Sequence, residues 1–465
     1  MGGPVRRVAL ARVDVPEPSM AELPTAALKR SMTLLPTTAL VVGTIIGATI
    51  FVQPSEITAL VPSIGGVAAI WLAAGILTIL GALVSAELAS AFPRTGGVFV
   101  FLNETYSPVM GFLWGWAMFW SMHSGILAAI AVVFARYVAF FVPLDAVGTK
   151  LVAAGAILVL SAINYRGIEH GSRLQTAFTV GKVAAIVLMI AVGLAVAPGN
   201  SAETAQTAAP VVTGAATEVS FTTIVKALIA GLFAFGGWHM VTYAAGETIN
   251  PTRTIPRALL GGMVIVTVCY IALNAVYMYV LPLDVVISSP RVAADAAKKL
   301  VGDGGAAFMS GLVIFSTFGA LNGIILAGPR VYYAMAHDGL LFRWAGRTHP
   351  TFRTPHLAIV LQGIWASLLV FTGTYRDLYS RVIYVEWIFF GLMAVGLFIL
   401  RRRPNYAPAY RVGGYTVIAG IFALASAVIV LNRLITAPFE ALSGLAIVLL
   451  GVPVYYFWLA RPKGT

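Results

Sequence analysis

Residues 43–51 read GTIIGATIF, and they interrupt the first long apolar stretch of the chain with two glycines. Residues 231–239, GLFAFGGWH, interrupt a later apolar stretch in a similar way. Hydrophobic spans broken by glycine at corresponding places in the two halves of a membrane protein are the best sequence sign of a secondary transporter's binding site. The two stretches therefore predict a solute transporter with two interrupted helices.

The composition indicates a protein that lies within a membrane. Of 465 residues, 59% are hydrophobic and 10% are charged, and the mean hydropathy is +0.90. Apolar stretches of about 20 residues, the length that crosses a bilayer as a helix, recur along the chain. Alternating segments of about ten residues, the pattern of a membrane β-barrel, do not. We therefore predict an all-α integral membrane protein.

Dividing the apolar stretches at proline, glycine and charge clusters predicts about twelve transmembrane helices. The predicted spans lie near 35–60, 65–91, 107–141, 149–165, 172–197, 221–246, 256–281, 305–336, 355–373, 379–401, 413–433 and 440–460.

The distribution of positive charge predicts the orientation. The net charge is +12, and the basic residues concentrate in alternate connections, for example 343–353 and 401–411, without forming one patch. Connections rich in Lys and Arg face the cytoplasm. We therefore expect a multi-pass protein of the cell (plasma) inner membrane with both termini in the cytoplasm, and no nucleic-acid partner.

The chain reads as one transmembrane domain, 31–463, after a cytoplasmic tail, 1–30. The breaks fall in the first and sixth spans, which predicts a first repeat at about 35–197 and a second at about 221–401, with two extra helices at about 413–460. The longer connections, 198–220 and 282–304, are too short to form a domain. Cys269, the lone cysteine, lies in an apolar stretch, so we expect no disulfide-linked partner, metal or cofactor.

Interrupted helices offer backbone groups to a ligand. The N–H groups that begin a half-helix attract negative charge, and the carbonyls that end one attract positive charge. Amides near Gly47, Ala48 and Thr49 suit a carboxylate, and carbonyls around Ile45, Ile46 and 233–235 suit an ammonium group. This pairing fits an amino acid zwitterion. Close helix packing is the alternative role for each glycine.

Several motifs carry a resemblance to a known family. They are 43–54 (GTIIGATIFVQP), 93–97 (PRTGG), 233–238 (FAFGGW), 247–256 (ETINPTRTIP) and 316–323 (STFGALNG). The chain resembles a bacterial-type permease of the L-type amino acid transporter family, within the amino acid, polyamine and organocation (APC) superfamily. This resemblance implies a LeuT-like fold with five-plus-five inverted repeats, helices 1 and 6 broken at the midplane, and alternating access. It also implies that Phe233 is a gate that closes over the substrate.

The broken spans supply the predicted substrate-binding residues. They are Thr44, Ile45, Ile46, Gly47, Ala48, Thr49, Phe233, Ala234, Phe235, Gly236, Gly237, Trp238 and His239. The family's usual Ser-Gly pair after Gly47 is replaced here by Ala48-Thr49, which removes a hydroxyl and adds a β-branched side chain. His239 and His123 either tune selectivity or pack as neutral, hydrogen-bonded residues. Asn322 is a further candidate for tuning.

A lysine lies inside the fifth span, where Lys182 is surrounded by apolar sequence. A charge there costs ~2.5–3.5 kcal/mol on insertion scales, so it should face protein acceptors. Ser316, Gly319 and Gly323 share one face of the eighth span and allow close approach. The resemblance implies that Lys182, with Ser316, substitutes for the cation of sodium-coupled relatives. Snorkelling of Lys182 to the interface is the alternative.

The sequence thus predicts a sodium-independent transporter of neutral L-amino acids, an antiporter or uniporter. Alternatives are a proton-coupled symporter or a carrier of cationic amino acids or polyamines. Glu386, inside the tenth span, either carries a proton or accepts a buried hydrogen bond. A channel or a membrane enzyme is remote, because the chain has no filter-like pattern and no HExxH or GxSxG motif.

Overall fold

A computed structural model describes residues 28, 30–196, 219–373 and 375–459. Most of the predicted N-terminal tail and most of the connection 198–220 lie outside the described residues. Within the described part, the protein is built of helices, and β-pairing is limited to one bridge between Met32 and Thr248. The predicted all-α membrane fold is confirmed.

Twelve apolar spans follow one another along the described chain. Their bounds are Leu34–Ile45 with Gln53–Leu60; Ile64–Ala91; Pro108–Ala117 with Met118–Met122 and His123–Val138; Ala146–Tyr165; Ile168–Val196; Phe221–Ala234 with Trp238–Glu247; Pro251–Val280; Asp303–Ala327 with Pro329–His337; His356–Leu369; Tyr375–Arg401; Tyr415–Thr436; and Pro438–Leu459. By length and composition, ten helices of the described part can cross a membrane, while the apolar helices Leu34–Ile45 and His356–Leu369 are shorter.

One predicted start is wrong by more than a turn. The seventh span begins at Pro251 and not near residue 256. Proline inside a helix is unfavourable, so the sequence prediction began the seventh span at Pro256. Pro251 in the first turn is an equally good start, because the N–H that proline lacks has no helical partner there.

The connections contain helices that the pattern of apolar stretches does not reveal. Val98–Thr105 follows the second span, and Leu283–Ser288 and Val292–Val301 occupy the connection that the sequence describes only as polar. Three spans also depart from α geometry. Thr49–Phe51 in the first span is a short 3₁₀-helix. Met118–Met122 in the third span is a π-helical segment, and Trp238–Glu247 in the sixth span is a 3₁₀-helix with a kink at Ala244.

Glycines bring the first, fifth and eighth spans close together. A Cβ added at Gly43 would lie 2.0 Å from Gln175 Nε2, and one added at Gly319 would lie 2.6 Å from the Cβ of Phe178. One added at Gly323 would lie 2.8 Å from a methyl group of Thr44. The absence of side chains at these positions therefore lets the three helices approach one another around the interrupted first span.

A buried carboxylate fixes the connection that follows the tenth span. Glu87 is 0% exposed and accepts two hydrogen bonds of 2.6 Å from Arg401. Its Oε2 also accepts from the backbone N–H of Val412 at 2.8 Å. Nearby, the Ser90 hydroxyl bonds the backbone of Tyr410. These contacts hold the segment after Arg401 against the second span.

We expect Glu87→Ala to lower the thermal stability of the protein in detergent substantially. The substitution leaves the guanidinium of Arg401 and the amide of Val412 without their acceptor, and breaking a buried ion pair in this way costs roughly 3–5 kcal/mol. Glu440→Ala is the matched control, because Glu440 pairs with Arg433 but its side chain is 56% exposed. Equal melting temperatures for the two variants would contradict the assigned role of Glu87.

Candidate functional site

The two helix breaks lie side by side. Thr44 Oγ1, at the end of the first half of span one, is 3.2 Å from the carbonyl oxygen of Gly237 in the break of span six. Thr49 Oγ1, beyond the first break, donates to the carbonyl oxygen of Ala234 at 3.3 Å. Gly237 has φ +96°, and a Cβ there would lie 3.1 Å from the Thr44 carbonyl oxygen. The contact between the breaks therefore requires a glycine at position 237.

The first break has amides without a backbone partner, and a tyrosine hydroxyl lies between carbonyl oxygens of the two breaks. Within the described residues, the N–H groups of Gly47 and Ala48 donate to no backbone carbonyl. The hydroxyl of Tyr270, from the seventh span, is 2.9 Å from the Ile45 carbonyl oxygen and 3.0 Å from that of Ala234. The sequence prediction missed Tyr270. The available signal is a tyrosine in mid-span, whose buried hydroxyl needs a polar partner.

A cavity lies between the breaks, with a volume of ≈ 20 Å³. That volume suffices for about one water molecule and not for an amino acid, so this conformation is closed. Its lining is Thr44, Ile45, Gly47, Thr49, Ile126, Ile130, Phe233, Gly236, Gly237, Met240 and Ile324.

The lining overlaps with the predicted substrate-binding residues in part. Seven of the predicted residues line the cavity; they are Thr44, Ile45, Gly47, Thr49, Phe233, Gly236 and Gly237. The sequence prediction missed apolar side chains from the third and eighth spans and from the half-helix Trp238–Glu247, namely Ile126, Ile130, Ile324 and Met240. Nothing in a single apolar stretch distinguishes these from isoleucines that face lipid.

The other predicted residues lie beside the cavity lining. Trp238 packs on Phe390 at 5.2 Å between ring centroids, and His239 packs on Phe390 at 4.8 Å. Phe235 contacts the ring of Tyr270 at 5.0 Å. The remaining three, Ile46, Ala48 and Ala234, are buried at the breaks. None of these six residues belongs to the cavity lining.

Lys182 is fully buried against the first break. Its Nζ donates to the carbonyl oxygens of Gly43 at 2.9 Å, Ile46 at 2.6 Å and Ser316 at 3.3 Å. The Ser316 hydroxyl is 3.4 Å from the Ile46 carbonyl oxygen and 3.3 Å from that of Gly47. All three protons of the ammonium group therefore have acceptors. Lys182 does not extend to the membrane surface.

The three candidate tuning residues have different neighbours. Asn322 bonds the Gly171 carbonyl and Gln175 and accepts from Asn164 at 2.8 Å, which is a packing network between spans. His123 Nε2 lies 3.3 Å from Sδ of Met240, a cavity residue. Glu386 Oε1 is 3.6 Å from His239 Nε2. Of the three, His123 contacts a residue of the lining.

The end of the bundle that holds Met32, Glu247 and Arg330, here called the Glu247 end, is tightly closed. Arg330 forms a two-pronged buried ion pair with Glu247, at 2.8 and 3.0 Å. The Glu247 carbonyl accepts the amides of Ser31 and Met32 at 3.0 Å each. Nearby, Arg94 pairs with Asp338 at 3.2 Å. Burial raises the pKa of the Asp338 carboxyl, and the Arg94 charge opposes that shift.

Comparison with known proteins identifies the family. Residues 32–458 match the family model described as amino acid permease. The chain belongs to the amino acid permease family. It is 32% identical over 434 residues to the serine/threonine exchanger SteT of Bacillus subtilis (strain 168), covering 92% of this chain and 97% of that protein.

Animal transporters are also similar. Identity to the b(0,+)-type amino acid transporter 1 of Mus musculus is 30%, covering 96% of this chain and 92% of that protein. Identity to the human cystine/glutamate transporter is 28%, covering 94% and 86%. These findings confirm the resemblance to L-type amino acid transporters of the APC superfamily. The protein is thus a multi-pass membrane permease whose substrate is an amino acid, and its family consists of transporters and not enzymes.

We expect Gly237→Ala to abolish most transport while the protein still folds. The new Cβ would meet the Thr44 carbonyl at a left-handed backbone position, so the two breaks would be forced apart. Gly261→Ala is the control, because an added Cβ there has no neighbour within 4 Å. Uptake of amino acids into proteoliposomes, compared at equal amounts of reconstituted protein, measures the difference. Wild-type uptake by Gly237→Ala would show that contact between the breaks is dispensable.

Proposed function

We propose that this permease is a sodium-independent transporter of neutral L-amino acids that works by alternating access. The observation that carries the proposal is the buried Lys182 ammonium group, bound by carbonyls of the first break and of the eighth span. Carbonyls of unwound helices are the groups with which transporters of this architecture coordinate a coupling cation. A fixed ammonium group that occupies such carbonyls makes a sodium ion unnecessary.

The cavity lining supports a neutral substrate. Within the described residues that line it, the side chains are apolar or carry a hydroxyl, and no charged side chain is among them. A cationic or anionic substrate side chain would lose its hydration there without an opposite charge. Relatives are named for serine and threonine and also for cystine and glutamate. The uncharged side chains of the lining, and not the names of the relatives, are therefore the reason to propose a neutral amino acid as substrate.

The substrate's two charged ends have matching backbone groups. The free N–H groups of Gly47 and Ala48 suit the α-carboxylate. The carbonyls of Ile45 and Ala234, which the Tyr270 hydroxyl contacts, suit the α-ammonium group. A carrier of cationic amino acids or polyamines would need a carboxylate in the lining. Glu386, the sequence candidate for that role, contacts His239 and lies outside the lining.

The proposed alternating access also needs an orientation in the membrane and two inverted repeats. The excess of basic residues in alternate connections supports a plasma-membrane protein with both termini in the cytoplasm, which makes the Glu247 end the cytoplasmic end. Breaks in the first and sixth spans support inverted repeats at about 35–197 and 221–401. Alternating access then requires the Arg330–Glu247 pair to separate when the site opens to the cytoplasm.

We expect the purified protein in liposomes to exchange a neutral amino acid equally well in sodium and in choline buffer, because the ammonium group of Lys182 already occupies the carbonyls. The measurement is counterflow of labelled serine, threonine or leucine into vesicles loaded with the same unlabelled amino acid. A strict sodium requirement would falsify the proposal.

We expect Lys182→Ala to reduce this counterflow far more than Arg136→Ala. Lys182 binds the first break, whereas Arg136 is exposed near the end of the third span. Both substitutions remove one positive charge from a membrane helix, so the pair is matched. Comparable losses of counterflow in the two variants, at equal levels of folded protein, would contradict the proposed role of Lys182.

Phe233 supports a separate test of the gate. Its buried side chain lines the cavity directly before the second break. Because a ring that closes over bound substrate limits the rate of occlusion, we expect Phe233→Ala to slow transport strongly while substrate still binds measurably. Binding and uptake are measured on the same preparation, with Phe233→Leu as the volume control. Wild-type transport by Phe233→Ala would show that Phe233 is not the gate.

A further inference from the structure

Two titratable side chains from different spans meet beside the sixth-span break. His239 Nε2, on the half-helix Trp238–Glu247, lies 3.6 Å from Oε1 of Glu386 in the tenth span. Their side chains are 1% and 8% exposed. Neither residue is in the cavity lining, so the proposed recognition of the amino acid leaves this pair unused.

The surroundings of the pair are aromatic. Rings of Trp114, Trp238 and Phe390 lie 5.9, 5.5 and 4.8 Å from the His239 ring. In the part of the chain that the structure describes, no Lys or Arg forms an ion pair with Glu386. A bare carboxylate in such surroundings is strongly unfavourable. The pair is electrically neutral when it holds one proton, shared between a carboxyl and an imidazole.

Other charged groups near these elements already have partners. Glu87, on the second span, is paired with Arg401 at the far end of the tenth span. Glu247, at the end of the His239 half-helix, is paired with Arg330 of the eighth span. On the twelfth span, Glu440 is paired with Arg433. Two other titratable groups interact with the pair: His123 of the third span with His239, and Tyr243 of the sixth with Glu386. Tyr332 of the eighth span interacts with Tyr243.

Together these groups form a polar cluster that extends from the pair to the cavity. The Tyr243 ring lies 5.5 Å from the His239 ring and 6.1 Å from the His123 ring. His123 in turn contacts Met240, which lines the cavity.

The buried polar atoms of this cluster have partners only in part. His123 bonds Gln362, and Tyr243 bonds Trp114. Within the described residues, His239 Nδ1 and the Tyr332 hydroxyl make no hydrogen bond of normal geometry. Buried polar atoms of this kind are normally satisfied, and when they cluster they indicate a site for small polar species. Water bound among these groups would connect the pair with the cavity by hydrogen bonds.

The position of the pair links it to the opening of the site. His239 belongs to the half-helix that runs from the break to Glu247, and Glu386 belongs to the tenth span. When that half-helix moves relative to the tenth span, the 3.6 Å contact changes. Proton occupancy of the pair and the opening of the Glu247 end are therefore coupled in free energy, and the coupling is reciprocal.

We propose that Glu386 and His239 form a proton-binding site and that one proton crosses the membrane with each amino acid. This inference rests on the proposed transport of neutral amino acids. The pair accepts a proton from the acidic side when the site is open there, and releases it on the other side when the half-helix has moved. One positive charge accompanies one zwitterion, and no bond other than the O–H or N–H bond changes. Lys182 keeps its own proton throughout.

The experiment separates proton coupling from transport itself. Wild-type protein and Glu386→Gln are reconstituted in liposomes, and the amino acid with the strongest counterflow among serine, threonine and leucine is the probe. Counterflow at equal pH on both sides reports transport. Accumulation with an acidic exterior, and its collapse by a protonophore, report coupling. Internal pyranine reports whether protons enter when substrate is added.

We expect the wild-type protein to accumulate substrate against its gradient and to acidify the lumen. Glu386→Gln should keep most of its counterflow but lose accumulation and lumen acidification. Glu440→Gln, the same change at an exposed carboxylate, should behave as the wild type. His239→Asn should likewise keep most of its counterflow but lose accumulation and lumen acidification. If Glu386→Gln gives no counterflow, the comparison of His239→Asn with the wild type tests the inference instead.

Two results would overturn the inference. One is wild-type counterflow without any response to the pH gradient, and the other is full coupling in Glu386→Gln or His239→Asn. A wild-type protein without counterflow of any neutral amino acid would instead contradict the proposed function, and the inference would fall with it. The two failures are therefore distinguishable.

Discussion

Hydrogen bonding of the backbone at the two helix breaks is the constraint on which the site depends. A hydrocarbon surrounding offers no water, so each freed carbonyl or amide must find a partner inside the protein. Lys182 and Ser316 satisfy carbonyls of the first break, and Tyr270 reaches carbonyls of both breaks. The amides of Gly47 and Ala48 donate to no backbone carbonyl within the described residues. The groups that we propose for the substrate carboxylate are thus amides that the protein's own backbone bonds leave unpaired.

The fold and the positions of the breaks were predictable because they depend on local patterns. Apolar length predicts the spans, and paired glycines predict the interruptions. The burial of Lys182 against the eighth span also follows from a local argument, since a charge in mid-span needs acceptors and Gly319 leaves room for close approach. Tyr270, Ile126 and Met240 could not be predicted in the same way. Their role depends on which face of an apolar helix turns inward, which is a property of the packed bundle.

Charge is arranged differently in the two regions of the bundle. At the Glu247 end and around Glu87, buried carboxylates are matched by arginines in ion pairs with nearly ideal distances. Such pairs stabilise a particular arrangement strongly, because separating them leaves two unpaired buried charges. The cavity between the breaks is lined instead by apolar and hydroxyl side chains. The protein therefore combines a rigid charged closure with a pocket whose polar groups are mainly backbone.

The half-helix Trp238–Glu247 is not one continuous rod. A kink at Ala244 divides it into two short 3₁₀ pieces. Long 3₁₀ runs are uncommon, because their hydrogen-bond geometry is poorer than that of an α-helix. The backbone between the first half of the sixth span and the Arg330–Glu247 pair therefore departs from regular helix geometry at two points, the break at Gly237 and the kink at Ala244.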